Sequence, residues 1–259
     1  MGNAARLSQH FLADEASRDA VVAALGAGPG EKVLEIGPGR GVLTVPLVDG
    51  GAAVTAVELD DRLYRSLDEK LGPRGLRVLH ADFLTVDLER LGEGPFAVIG
   101  NLPYAVGTPI LQRLLSWPRW TRAVLMFQKE VALRLCAQPG GPDYGLLTLS
   151  TLLWARPEYL LDVAPGAFRP PPKVASGVVR LTRRAAPLLA PEKHPAFFRV
   201  AKAAFEHRRK MAAGVLASAF QKPRAEVEAL LAGLGVPASA RPENIPLEAW
   251  ISLASALVP

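Results

Sequence analysis

The sequence predicts an α/β fold: an open, Rossmann-like sheet of parallel strands, followed by a small all-helical C-terminal domain. Three observations carry this. From Lys32 to Ala137, short apolar runs alternate with helical patterns, which is the signature of a doubly wound sheet. The first of those runs, Lys32 to Ile36, passes directly into Gly37-Pro38-Gly39-Arg40-Gly41 and then a helical pattern, Val42 to Val48. Strand, glycine loop and helix make the opening βα unit of such a sheet. Beyond residue 188 only helical patterns remain. At 259 residues the chain is near the limit for one core, so a main domain at 1–187 and a smaller one at 188–259 are expected.

Taken in order, Asp14 is placed to cap a helix running to about Leu25, which Gly26 ends. After the glycine loop, Ala53 to Leu59 reads as a second strand with Glu58 near its C-terminal end, 21 residues after Gly37. An acidic residue there commonly accepts hydrogen bonds from ribose hydroxyls. A helix (Arg62 to Leu71) and a strand (Leu76 to His80) follow, and Asp82 again falls at a strand end. Phe96 to Ile99 is a fourth strand that breaks at Gly100 into the turn Asn101-Leu102-Pro103-Tyr104. Thr108-Pro109 reads as a helix start, Ala123 to Phe127 as a fifth strand, and Lys129 to Ala137 as a helix. Glu158 to Val163 and Ser176 to Leu181 are joined by too few residues for a crossover helix, so they are expected to pair antiparallel. Between them, Pro170-Pro171-Pro172 holds Phe168 and Arg169 in a stiff, extended loop; a rigid connector and a substrate-lining segment are equally good readings of it. After a linker at 188–191 come three helical patterns, the first continuing through Arg208-Arg209-Lys210 to Phe220.

Composition narrows the function. Hydrophobic residues make up 49% and charged residues 21%, as in a folded globular protein. No apolar run approaches the ~20 residues of a membrane-spanning helix, and MGNAARLSQHF has no signal-peptide centre, so a cytoplasmic protein without a membrane partner is expected. Cys136 stands alone and His10, His80, His194 and His207 are scattered, so no metal is expected. Charge is uneven. Residues 1–180 carry 19 Lys and Arg against 19 Asp and Glu, whereas residues 181–259 carry 11 against 6. A neutral body with a basic end suits a polyanionic partner, although a solvated helical surface would also account for so modest an excess.

The glycine loop, Glu58, Asp82 and Asn101 all map to the carboxyl ends of strands, which in an open α/β sheet form one ligand-binding crevice. Pro103 lacks an N–H, so the turn Asn101 to Tyr104 presents acceptors beside an aromatic face. That combination suits a flat heterocycle with an exocyclic amine: Asn101 and the Leu102 carbonyl each take one amine hydrogen while Tyr104 stacks on the ring. An ordinary strand-ending turn explains these four residues nearly as well. A nicotinamide dinucleotide fits the loop poorly, because Val42 stands where the third glycine of G-x-G-x-x-G belongs and no hydride-transfer site follows. S-adenosyl-L-methionine fits better, with Gly37 and Gly39 admitting its amino acid part, Glu58 its ribose and Asp82 its adenine amine.

The runs S-Q-H-F-L, V-L-E-I-G-P-G-R-G-V-L-T, V-E-L-D, A-D-F-L, N-L-P-Y, Q-K-E-V-A, D-Y-G-L-L, F-R-P-P-P-K-V and F-E-H-R-R-K resemble the KsgA/RsmA-type ribosomal RNA adenine dimethyltransferases over nearly the whole chain. The resemblance implies a class I S-adenosylmethionine-dependent methyltransferase sheet with a small helical RNA-binding domain. It also implies dimethylation of two adjacent adenosines near the 3′ end of 16S rRNA in the small ribosomal subunit, by a monomer. Carried over by position, His10, Leu12, Gly37, Gly39, Glu58, Asp82 and Asn101 hold the cofactor. Asn101, Leu102, Pro103 and Tyr104 hold the target amine, and Phe168 is a second aromatic wall around a flipped base. Arg169, Lys173, Arg208, Arg209 and Lys210 are assigned to RNA. The chain departs from the usual pattern at Ser8 and His10 (Gly and Asn), at Ala105-Val106, and at Met211 (Thr). Two other readings remain at this stage: a macrolide-resistance type methyltransferase of large-subunit (23S) rRNA, and a non-catalytic RNA-binding assembly factor on the same fold.

Overall fold

The computed structural model describes residues 10–258; Ser8 and Gln9 of the S-Q-H-F-L run lie outside them. The chain divides into two compact units, one of residues 1–133 with 156–183, the other of residues 134–155 with 184–259.

In the first unit, β2 (Lys32–Ile36), β3 (Ala53–Glu58), β4 (Arg77–His80), β5 (Phe96–Asn101) and β6 (Trp120–Gln128) form the parallel part of a seven-stranded sheet. β7 (Ala155–Val163) and β9 (Ser176–Arg183) complete the order β4-β3-β2-β5-β6-β9-β7, with β9 antiparallel to β6. The two strands expected to pair are therefore neighbours. Order reverses between β2 and β5, the point at which ligands bind in such sheets. β1 (Phe11–Leu12) and β8 (Phe168–Arg169) make a separate antiparallel pair. Alternate strand residues face opposite sides, and both sets are buried: Val33, Ala97 and Val124 on one, Leu34, Val98 and Leu125 on the other.

Helices α1 (Glu15–Leu25), α2 (Thr44–Asp49), α3 (Asp61–Leu71), α4 (Gly107–Ser116) and α5 (Lys129–Cys136) connect these strands. Their limits have local causes. Asp14 caps α1 by accepting from the Ser17 N–H at 2.7 Å, and Gly26 ends it in the left-handed conformation. Arg122 of β6 then binds the freed carbonyls of Leu25 (2.7 Å) and Gly26 (3.2 Å) and forks onto Glu31. One cation thus satisfies a helix C-terminus and holds the Glu31 carboxyl below its usual range. The start of α4 differs from expectation: Val106 occupies the cap and Thr108 lies inside the first turn.

The second unit is larger than the C-terminal segment expected from sequence. It takes in α6 (Leu146–Trp154), whose Leu149 and Leu153 are buried with Tyr144 in a helical core rather than against the sheet. The segment expected to be a linker is anchored there too, since Leu189 is buried in that core. The other members are α7 (His194–Phe205), α8 (Ala212–Ala219), α9 (Arg224–Gly233) and α10 (Leu247–Leu257). A single helix through Arg208-Arg209-Lys210 does not form. Residues 206–210 carry no apolar side chain to bury, so the chain turns there, and α8 brings Ala212, Ala213 and Leu216 back into the same core. Among the described residues no helix is long and apolar enough to cross a membrane, and no three His, Cys, Asp or Glu residues are grouped to hold a metal ion.

Trp250 of α10 is fully buried and its ring lies 5.6 Å from that of Phe205. Trp250→Ala should lower stability by about 3–5 kcal/mol, read as a lower denaturation midpoint of the helical unit.

Candidate active site

Strand register places the carboxylates. Glu35 of β2 pairs in register with Ala56 of β3 and Ile99 of β5. Glu58 and Asn101 stand two residues further along those flanking strands, so all three side chains leave the same face of the sheet at its carboxyl edge. Only 3% of Glu58 is exposed; one oxygen accepts from the Gly39 N–H at 3.0 Å and the other from the Asp60 N–H at 2.9 Å. Gly37 and Gly39 have φ of 68° and 59°, a region in which a side chain would be strained. A Cβ on Gly39 would also lie 3.1 Å from the Phe11 ring, which covers the loop and carries the Arg40 guanidinium 4.7 Å above it. Asp82 uses one oxygen to accept from the Leu84 N–H at 2.8 Å.

The turn after β5 is fixed by three contacts. Asn101 Nδ2 donates to the His10 carbonyl at 2.9 Å, and because a carbonyl can only accept, this leaves Oδ1 as the acceptor. Tyr104 Oη shares a hydrogen bond of 2.7 Å with Ser176 Oγ. Its ring lies 5.5 Å from that of His10, tilted by 34°, and His10 Nδ1 is 2.8 Å from the Pro170 carbonyl and so donates to it. Burial raises the Tyr104 hydroxyl above its usual range, more than Ser176 lowers it, so the phenol stays neutral. On β5, a Cβ at Gly100 would stand 2.8 Å from the Ile36 carbonyl, so only glycine lets the strand pass this close to β2.

The cavity so formed is lined by all the residues expected to hold cofactor and by Leu102, Pro103 and Tyr104. Phe168 is not among them. Its ring is fully buried in the core with Leu12, Val163 and Val178, because β8 pairs Phe168 with Leu12 and turns both inward. In this structure the Phe168 ring does not face the cavity, although its pairing partner Leu12 lines it. Arg169 donates back to the Gly166 and Phe168 carbonyls, and Lys173 is exposed on the same proline-rich loop. In the helical unit Arg208 is turned inward, donating to the Gly141 (3.3 Å) and Pro142 (2.5 Å) carbonyls near Glu243, whereas Arg209 and Lys210 are exposed.

Residues 2–257 match the model of the family described as ribosomal RNA adenine dimethylase. The chain belongs to that family. It is 40% identical to the ribosomal RNA small subunit methyltransferase A of Magnetococcus marinus, over 98% of this chain and 91% of that one. The same-named protein of Pseudomonas putida is also 40% identical, over 97% and 94%. Among solved structures, the 23S rRNA methyltransferase ErmE is 33% identical with a TM-score of 0.75, over 96% of this chain and 100% of that one. A dimethyladenosine transferase from Plasmodium falciparum shares the fold, with a TM-score of 0.80 at 24% identity. The sheet is therefore that of a class I methyltransferase, and the protein is an rRNA adenine dimethylase.

Sequence reasoning missed one member of this dimethylase site, Glu35. It lines the cavity, is 1% exposed, and its Oε2 has no hydrogen-bond partner. A charged residue inside an otherwise apolar buried strand was the available signal. Burial, with the Glu58 charge adding to it and the Thr44 hydroxyl opposing it, pushes the Glu35 carboxyl from 4.5 up to about 7. Below the lower value the group is neutral whether the chain is folded or not. As pH rises from there through about 7, the unfolded chain ionises first and the folded state loses stability relative to it. Glu35→Gln should abolish this loss: thermal unfolding without ligand at about pH 5 and about pH 8 should favour the variant more at the higher pH.

Proposed function

We propose that this dimethylase transfers two methyl groups from S-adenosyl-L-methionine to N6 of each of two adjacent adenosines near the 3′ end of small-subunit rRNA. The observation that carries the reading is the Asn101 amide, whose oxygen is left as an acceptor at the cavity beside the Leu102 carbonyl and the Tyr104 ring. An exocyclic amine has two hydrogens for two such acceptors. Holding them directs the nitrogen lone pair out of conjugation with the ring, toward an electrophile.

The cavity suits the cofactor. Two buried carboxylates at the carboxyl edge, one with an orphaned oxygen, complement a ligand bearing an ammonium and a sulfonium. When bound, S-adenosylmethionine supplies a methyl group on a sulfonium sulfur. Glu58 would hold the ribose hydroxyls and Asp82 the adenine amine, and the glycine loop would let the backbone come close. Tyr104 stacks on the target base, which must leave its helix to reach the cavity. Asn101 and the Leu102 carbonyl would stabilise the positive charge that methylation places on the target nitrogen, whose proton would then leave to solvent. The repeat on the monomethylated amine still offers one hydrogen to these acceptors. RNA phosphates are assigned to Arg209, Lys210, Arg169 and Lys173, with Arg208 retained as a tie within its own unit.

Asn101→Ala removes a preorganised partner of that charge and should lower turnover about 10²–10³-fold; purified variant assayed with labelled cofactor measures it. Small-subunit specificity follows the 40% identity to the small-subunit relatives, against 33% to the large-subunit enzyme, over similar spans. Unmethylated small and large subunits incubated with labelled cofactor should be labelled in the small subunit. Label mainly in the large subunit would favour the second reading, activity on 23S rRNA.

A further inference from the structure

Ser176, the first residue of β9, is fully buried, and its hydroxyl meets Tyr104 Oη at 2.7 Å. The residues that follow it in β9 are apolar and buried: Gly177, Val178 and Val179. A hydroxyl in such a strand costs free energy unless a partner satisfies it, and the partner is the phenol that borders the cavity.

The anchor is also rigid. Gln128 and Ser176 form the final register pair of β6 and β9, and the Lys129 N–H donates to the Ala175 carbonyl at 2.9 Å. Next to it, Ala132 and Tyr159 press so closely on Gly177 that a Cβ there would lie 2.6 and 2.8 Å from their atoms. Tyr159 is itself bound to Asp162, which is bridged by Lys129 at 2.7 Å. Tyr104, by contrast, sits in the turn between β5 and α4. Its backbone fixes one end of the ring and Ser176 the other, so the two together set the direction of the ring axis, and the His10 ring 5.5 Å away limits rotation about it.

We propose that Ser176 is a positioning residue for methyl transfer, acting through Tyr104 to hold the phenol in the place where the target adenine stacks on it. This rests on the reading that Tyr104 stacks on the base. The ring contact with His10 supports the same plane from the other side of the turn. A base aligned within about 10–20° of the productive geometry reacts; one stacked on a ring whose axis can swing spends less time there.

The test is a cycle of Ser176→Ala, Tyr104→Phe and the double variant, with kcat and KM measured on unmethylated small subunits and cofactor affinity by calorimetry. Each single variant should lower kcat roughly five- to tenfold, the range of one net hydrogen bond. The double variant should be no worse in kcat than the poorer single one, cofactor affinity should match the wild type, and the melting temperature should fall in Tyr104→Phe, which leaves the buried Ser176 hydroxyl unpartnered. Multiplied effects in the double variant would overturn the proposal, because Ser176 would then act without Tyr104. Wild-type kcat in Ser176→Ala would overturn it too, as would a loss of cofactor affinity in that variant, which marks a general structural role. Tyr104→Ala separates the two readings. If it retains wild-type kcat, base stacking on Tyr104 is wrong; if it is impaired while the cycle effects multiply, only the role of Ser176 fails.

Discussion

The hydrogen bond from the Asn101 amide to the His10 carbonyl, at 2.9 Å, is the contact on which the proposed chemistry of the cleft depends. It does two things at once. It orients the amide so that oxygen, not nitrogen, is left to receive a hydrogen from substrate. It also ties the residue before β1 to the end of β5, across 91 residues of sequence. β1 in turn is paired to β8, so the segment bearing His10, Phe11 and Leu12 is held from two sides. Remove the bond and the amide can rotate to offer a donor, which an amine hydrogen cannot use.

The parallel register sets the electrostatics around that bond. Glu35 and Glu58 leave the same face of adjacent strands, and both are almost fully buried. Glu58 is stabilised by two backbone N–H groups, whereas the second oxygen of Glu35 meets none. Burial, with a smaller contribution from the Glu58 charge, pushes the Glu35 carboxyl to about 7. The folded protein therefore carries an electrostatic cost that a cationic ligand would relieve.

The strands and the glycine loop were legible because their signals are local. An apolar run bounded by glycine reads the same in sequence and in space, and Lys32–Ile36 has the expected limits. The grouping of Glu58, Asp82 and Asn101 was legible for a different reason, since a parallel topology sends every strand end to one edge. Glu35 was hidden by the same logic: it lies within a strand rather than at its end, and only lateral register shows which residues it neighbours. The break after Phe205 was hidden by helix-compatible residues, Glu206 to Lys210, that favour helix locally but have nothing to bury. The allegiance of α6 to the helical core depends on which apolar surface receives Leu149 and Leu153, a tertiary choice that periodicity does not encode.

Phe168 shows how packing limits what a resemblance can carry over. The residue occupies the matching position, yet its register against Leu12 turns it into the core, where it is fully buried. His10 does not replace it as the far wall of a sandwich. Its ring centre lies 5.5 Å from that of Tyr104, whereas rings enclosing a base must stand about 7 Å apart, twice a carbon–carbon contact of roughly 3.5 Å. At that distance the two rings do not enclose a base between them. With His10 beside the ring and Ser176 at its hydroxyl, Tyr104 is a single fixed platform. On the proposed reading, alignment of the base depends on this one ring and on the two acceptors beside it, so the geometry of the turn matters more than the number of aromatic walls.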